Sequence, residues 1–90
     1  MREIIWTDYL KYRAALRGFD LDKLEHIIRY SSERYFDTET NRPVVVGRHD
    51  RLLVMIPYDV VDDTITPLTV HTIDRQQIRF RLQTGRFTNE

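Results

Sequence analysis

The stretch Pro43–Tyr58, PVVVGRHDRLLVMIPY, constrains this chain more than any other. Two apolar runs, Val44–Val46 and Leu52–Ile56, flank the polar segment Gly47–Arg51. Short β-branched runs bounded by Gly and Pro suit strands covered on both faces better than helices. Gly47 tolerates a positive φ, so the polar segment reads as a turn and the whole as a β-hairpin. Pro43 and Pro57 bracket it, since neither offers an N–H to a longer ladder. The turn collects Arg48, His49 and Arg51, the densest positive charge of the hairpin.

The flanking segments supply helices and further strands. Glu3–Trp6 reads as a short strand or a lead-in. Thr7 then caps a helix over Asp8–Arg17, with Gly18 as its stop. A second helix starts at Asp20 or Asp22 and ends near Tyr30, with Leu21, Leu24, Ile27 and Ile28 on one face. Glu33–Asp37 reads as an outer strand and Asp59–Thr64 as an acidic turn. Ile65–Ile73 follows as a strand that Pro67 confines to an edge. Its alternation sets Leu68, Val70 and Thr72 against Thr69, His71 and Ile73. The tail alternates Ile78, Phe80 and Leu82 with Arg79 and Arg81, which is a strand pattern. Asp74 and Gln77, however, have capping-box spacing and Gly85 is a natural stop, so a helix over Arg75–Thr84 is favoured. The expectation is one α+β domain over residues 1–90: N-terminal helices on a small antiparallel sheet of about four strands, then a C-terminal helix.

Charge and composition narrow the function classes. Fourteen cations balance fourteen carboxylates, so net charge gives no bias toward nucleic acid. Twelve of those cations are arginine, whose planar fork matches phosphate and carboxylate. Cysteine is absent, which points away from disulfide and thiolate chemistry and toward a reducing cytoplasm. No apolar stretch is long enough for a signal peptide or a membrane span, so no membrane partner is expected. The three glycines are isolated, which excludes a glycine-rich phosphate loop. His26, His49 and His71 lack metal-ligand spacing, so neither a metal nor another cofactor is expected. His26 reads as a solvated surface histidine.

What remains is basic and polar: Arg48, His49 and Arg51 in the turn, His71 on the last strand, and Arg75, Arg79, Arg81 and Arg86 along the tail. RNA cleavage needs little machinery, because the ribose 2′-hydroxyl is itself the nucleophile. A base takes its proton, cations stabilise the phosphorane, and an acid protonates the leaving oxygen. Histidine and arginine can supply such groups without metal. The plainer alternative has the arginines solvating a helix face and His71 packing at a sheet edge.

The segments VVVGRHDRLLVMIPY and LTVHTIDRQQIRFRL, separated by an acidic turn, resemble the BrnT toxins and related small domains of the RelE-like ribonuclease group. The opening IIWTDYLKYRAALRGFDLDKLEHII is similar to that family's tryptophan strand, helix, glycine turn and second helix. The resemblance implies a RelE/BrnT-like fold and a ribonuclease toxin of a bacterial toxin-antitoxin pair, with RNA as substrate and a cognate antitoxin as partner. It places the site on the sheet and last helix. Arg75 matches a basic position of the family, and Tyr58 its tyrosine after the apolar strand. His71 stands where the family has a strand arginine, and Thr72 where it has a lysine. The resulting assignment gives His71 or His49 as proton carrier, Tyr58 as orienting group or acid, and Arg75 beside them. Arg48, Arg51, Arg79 and Arg81 then contact RNA. Self-association stays open. The rival reading is a non-catalytic domain that binds a partner protein or DNA through the same surface.

Overall fold

The computed structural model describes residues 2–90. Three helices and seven strands follow one another as β1 (Glu3–Ile4), α1 (Asp8–Arg17), α2 (Leu21–Tyr30), β2 (Arg34–Asp37), β3 (Arg42–His49), β4 (Leu52–Val61), β5 (Thr64–Pro67), β6 (His71–Thr72), α3 (Arg75–Gln83) and β7 (Phe87–Asn89). The α+β class holds. The sheet is larger than the expected four strands and is mixed: its order is β1-β5-β4-β3-β2-β7, with β6 also on β4. β1 runs parallel to β5, and the other pairings are antiparallel. The additional strands are two or three residues long, too short to leave a periodic pattern.

The helix ends follow local chemistry. Thr7 Oγ1 accepts from the Leu10 N–H, and Gly18 closes α1 in the left-handed region at φ 73°. Asp20 caps α2 through the Asp22 and Lys23 N–H groups. Asp74 and Gln77 form the reciprocal capping box that starts α3. That box decides the tail in favour of a helix, despite the alternating Ile78–Leu82.

The hairpin is longer and tighter than its sequence suggests. β3 continues to His49, and the turn is Asp50–Arg51, with Asp50 in the left-handed region at φ 55°. Gly47 is therefore a strand residue opposite Val54. A Cβ there would lie 2.7 Å from Ile27 Cγ2, so it is close approach of α2 that requires glycine. Pro57 lies inside β4 opposite Val44 and does not end the strand. β4 likewise continues through Asp59 to Val61, and the acidic turn shrinks to Asp62–Asp63, with Asp62 at φ 54°.

Alternation along β3 and β4 builds two cores. Val45, Val54, Ile56 and Tyr58 pack under α1 and α2 with Leu10, Ala14, Leu24, Ile27 and Ile28. Val44, Val46, Leu53 and Met55 face the other way, toward Tyr35, Ile73, Ile78 and Phe87. Each fully buried aliphatic side chain contributes about 1.5–3 kcal/mol, so both faces add to stability. Coverage differs greatly, however. α2 buries Leu24, Ile27 and Ile28, whereas α3 buries only Ile78. The α3 face is left partly open.

One irregularity positions the residues that matter below. Pro67 lies opposite Tyr58 and His71 opposite Met55, so Leu68, Thr69 and Val70 face only Ile56 and Pro57. This is a β-bulge, which divides the expected Ile65–Ile73 strand into β5 and β6. It also resets the alternation. Ile65 belongs to the helix-pair core, and an unbroken strand would carry residue 71 to that same face. With the extra residue, Val70 packs in the helix-pair core while His71 sits across from Met55 on the α3 face.

Candidate functional site

On the α3 face, the sheet and helix leave a groove of about 450 Å³. Its floor includes Met55 and Pro57, its walls Thr69, His71 and Thr72 on one side and Gln77 and Arg81 on the other, and Arg42 and Arg86 close one end. His71 is half-buried at the free edge of the sheet, since β6 pairs only with β4. Burial, followed by the guanidiniums of Arg13, Arg17 and Arg81, holds the His71 imidazole below its ordinary pKa. The neutral ring, a competent proton acceptor, is thereby favoured near neutral pH. Thr69 Oγ1 and Arg13 Nε are both buried and, among the described residues, have no hydrogen-bond partner.

The cations of this region differ in what they are tied to. Arg86 donates through Nε and Nη2 to both oxygens of Asp37, each at 3.2 Å, and lies 3.4 Å from Glu39. Asp37 is 2% exposed. Burial alone raises its pKa, but the Arg86 hydrogen bonds and the Glu39 and Thr40 N–H groups outweigh it, so the net shift is downward. Arg42 donates to Asp59 at 3.0 Å. Arg81 has no such tie: its Nη1 approaches Met55 Sδ at 3.2 Å and its guanidinium lies 5.3 Å from the Phe87 ring centre. Burial and the neighbouring Arg86 lower the Arg81 pKa, against smaller opposing effects from Asp37 and Glu39. Arg13, Arg17 and Arg81 are all without a carboxylate within ion-pair distance among the described residues. The groove's cations are thus unequal: Arg86 is paired with Asp37, which also lines the groove, and Arg42 with Asp59, whereas Arg81 beside His71 is unpaired among the described residues.

Of the residues singled out by sequence, His71, Thr72, Arg81 and Arg86 share this groove. Tyr58, His49, Arg48, Arg51, Arg75 and Arg79 lie elsewhere. Tyr58 is on the helix-pair face, where its hydroxyl accepts from Arg34 Nη1 at 3.1 Å, beside a separate cavity of about 620 Å³ lined by Arg2 and Arg29. Arg34 also donates to the carbonyls of Ser31 and Ile28, closing the C-terminus of α2. His49 is buried at the end of the hairpin. Its Nε2 accepts the Asp20 N–H at 2.8 Å and its ring meets Phe19 edge-on at 5.0 Å. That bond places the His49 proton on Nδ1, which faces Asp50 at 3.8 Å. His49 therefore ties the hairpin to the start of α2. Arg48 Nη1 donates to the Arg51 carbonyl across the turn at 3.3 Å, and both residues are exposed.

Arg75 is ion-paired with Glu33, which also accepts from the Tyr35 hydroxyl at 2.7 Å. This chain fastens α3 to β2. Burial and Glu33 together push the Tyr35 hydroxyl up to about 12. For Glu33, burial raises the pKa but the Arg75 and Tyr35 hydrogen bonds outweigh it and lower it overall. Arg79 is exposed on α3 and does not line the groove. His26 is exposed against Tyr30, with ring centres 4.9 Å apart.

Arg13, Arg17 and Arg42 drew no functional reading from sequence. The first two are four apart on α1, away from its apolar stripe, a spacing that signals only a shared helix face. Arg42 reaches the groove through the register of β3. Among the described residues, no three His, Asp or Glu side chains stand together as a metal ion would require, and no helix is long and apolar enough to cross a membrane. Comparison of the chain with protein-family models, with curated proteins and with solved structures returns no match.

Proposed function

We propose that the α3 groove is an RNA-cleaving site and that the chain is a metal-independent endoribonuclease of the RelE/BrnT toxin type. One observation carries the reading: the half-buried, titratable His71 imidazole shares the groove with Arg81, a guanidinium that has no carboxylate partner among the described residues. A half-buried guanidinium without a partner is costly, and an incoming phosphate would relieve that cost. In this reading His71 removes the 2′-hydroxyl proton and the 2′-oxygen attacks phosphorus. The bond to the 5′-oxygen breaks, leaving a 2′,3′-cyclic phosphate, and the departing oxygen takes a proton from water. Arg81 stabilises the charge that develops on the phosphorane. Tyr58 and His49 are not needed for these steps.

The same reading takes β2–β5 as the RelE-like part of the sheet, with a cognate antitoxin covering the groove in a bacterial cytoplasm. Purified protein incubated with total RNA in EDTA should cut it, and induced expression alone should arrest growth. His71→Ala should do neither. Intact RNA after incubation with wild type would refute the proposal.

A second reading, a non-catalytic docking domain, is favoured by α1. Tyr9, Tyr12 and Leu16 lie one to two turns apart along it and are 58%, 63% and 64% exposed. Such a stripe is characteristic of protein partners. The same incubation separates the two readings.

A further inference from the structure

The groove does not end at Arg81. Gln77, Arg81 and Arg86 also line an adjoining depression of about 620 Å³ beside α3, together with Gln76, Phe80, Thr84 and Glu39. Phe80 is 63% exposed although it belongs to a nine-residue helix with a buried side of its own. The other lining side chains are amides, a hydroxyl, guanidiniums and the Glu39 carboxylate, which Arg86 neutralises at 3.4 Å, and none of them is apolar. Gln76 lies one turn before Phe80 and is exposed, so its amide is free to turn toward anything resting on the ring. Gln77 is committed on its carbonyl side, where Oε1 accepts the Asp74 N–H at 3.0 Å, leaving its NH₂ as donor.

An aromatic face bordered by hydrogen-bonding groups, next to a cationic groove, has the makings of a stacking platform for single-stranded nucleic acid. A protein hot spot would instead set the ring within a desolvated apolar surround. We propose that Phe80 stacks a nucleobase of single-stranded RNA adjacent to the phosphate held at His71 and Arg81, with the Gln76 amide on the base edge. This subsite rests on the RNA-cleaving reading of the groove and adds to it a substrate class: unpaired RNA, with at least one base turned out.

The test uses the whole chain and a non-cleavable 2′-O-methyl single-stranded oligonucleotide carrying 2-aminopurine at successive positions. Wild type should quench the fluorophore at one position. Phe80→Ala should abolish that quench and weaken binding roughly tenfold, the usual consequence of losing one base stack. Phe80→Trp should restore both, and thermal melts should show all three proteins folded. Removing the base at the quenched position should make wild type and Phe80→Ala bind alike. If wild type binds but Phe80→Ala keeps the same quench and affinity, the subsite is refuted, the groove reading survives, and the exposed ring is left to a protein partner. If wild type fails to bind the oligonucleotide, the groove reading and the subsite fall together.

Discussion

The two faces of the sheet are built from the same strands and put to different uses. On the helix-pair face, the two candidate site residues are committed to structure: Tyr58 accepts from Arg34, and His49 accepts from the start of α2. On the α3 face, one helix buries a single side chain and leaves His71, Thr69 and Arg81 beside an open groove. Denser coverage consumes more hydrogen-bonding capacity, whereas sparser coverage leaves it available to a ligand. The contrast means that residue type alone was a poor guide. His49 and His71 look alike in sequence, and burial with a committed hydrogen bond at His49 separates them.

The largest expected effect tests the closed face. Ile28 is 1% exposed beneath the sheet, and Ile28→Ala should cost about 2–5 kcal/mol in urea unfolding. A loss under about 1 kcal/mol would mean the helix pair is not the main stabilising layer. Next, Arg86→Ala would strand the buried Asp37 carboxylate and should cost about 3 kcal/mol, because an unpaired buried charge is left behind. Gly47→Ala should follow at about 1–3 kcal/mol, since the added methyl meets Ile27. If Gly47→Ala is neutral, α2 does not press on β3 as described.

Arg81→Ala breaks no ion pair and loses only the Met55 and Phe87 contacts, so it should cost no more than about 1 kcal/mol, yet it should impair RNA cleavage strongly. A large stability loss would make Arg81 a structural residue.

The pH dependence has a definite sign. His71 has a lowered folded pKa, so the unfolded chain takes up a proton first as pH falls through the ordinary value of 6.5. Its contribution is complete above that value and is lost below it. Asp37 and Glu33, also lowered, contribute above their ordinary values of 3.8 and 4.5 and lose that contribution on further acidification. Stability should therefore fall monotonically with acid, and His71→Asn should remove the earliest part of the decline. A rise between pH 6.5 and 5 in wild type would contradict the assignment.

The fold was legible where local chemistry determines it. Thr7, Asp20 and the Asp74–Gln77 pair announce helix starts through side-chain oxygens within three residues of the amides they satisfy. The apolar runs of β3 and β4 announce a doubly covered hairpin. The rest depends on distant partners. Gly47 looks like a turn residue until Ile27 is placed over it. β7 buries only Phe87, one residue in three, which gives no pattern to read. The site was half legible for the same reason. His71 and Arg81 stand ten positions apart around a recognisable helix start, whereas Arg42 reaches them only through strand register.

The most direct test of the contrast between the faces is a rate comparison on one single-stranded oligoribonucleotide at pH 7.5 with EDTA, using wild type, His71→Ala and Tyr58→Phe. The closed-face and open-groove assignments predict that His71→Ala falls by about 10²-fold or more, the usual loss of a general base, while Tyr58→Phe stays within a few-fold of wild type. Activity that survives His71→Ala but disappears in Tyr58→Phe would place the chemistry on the helix-pair face and contradict the account.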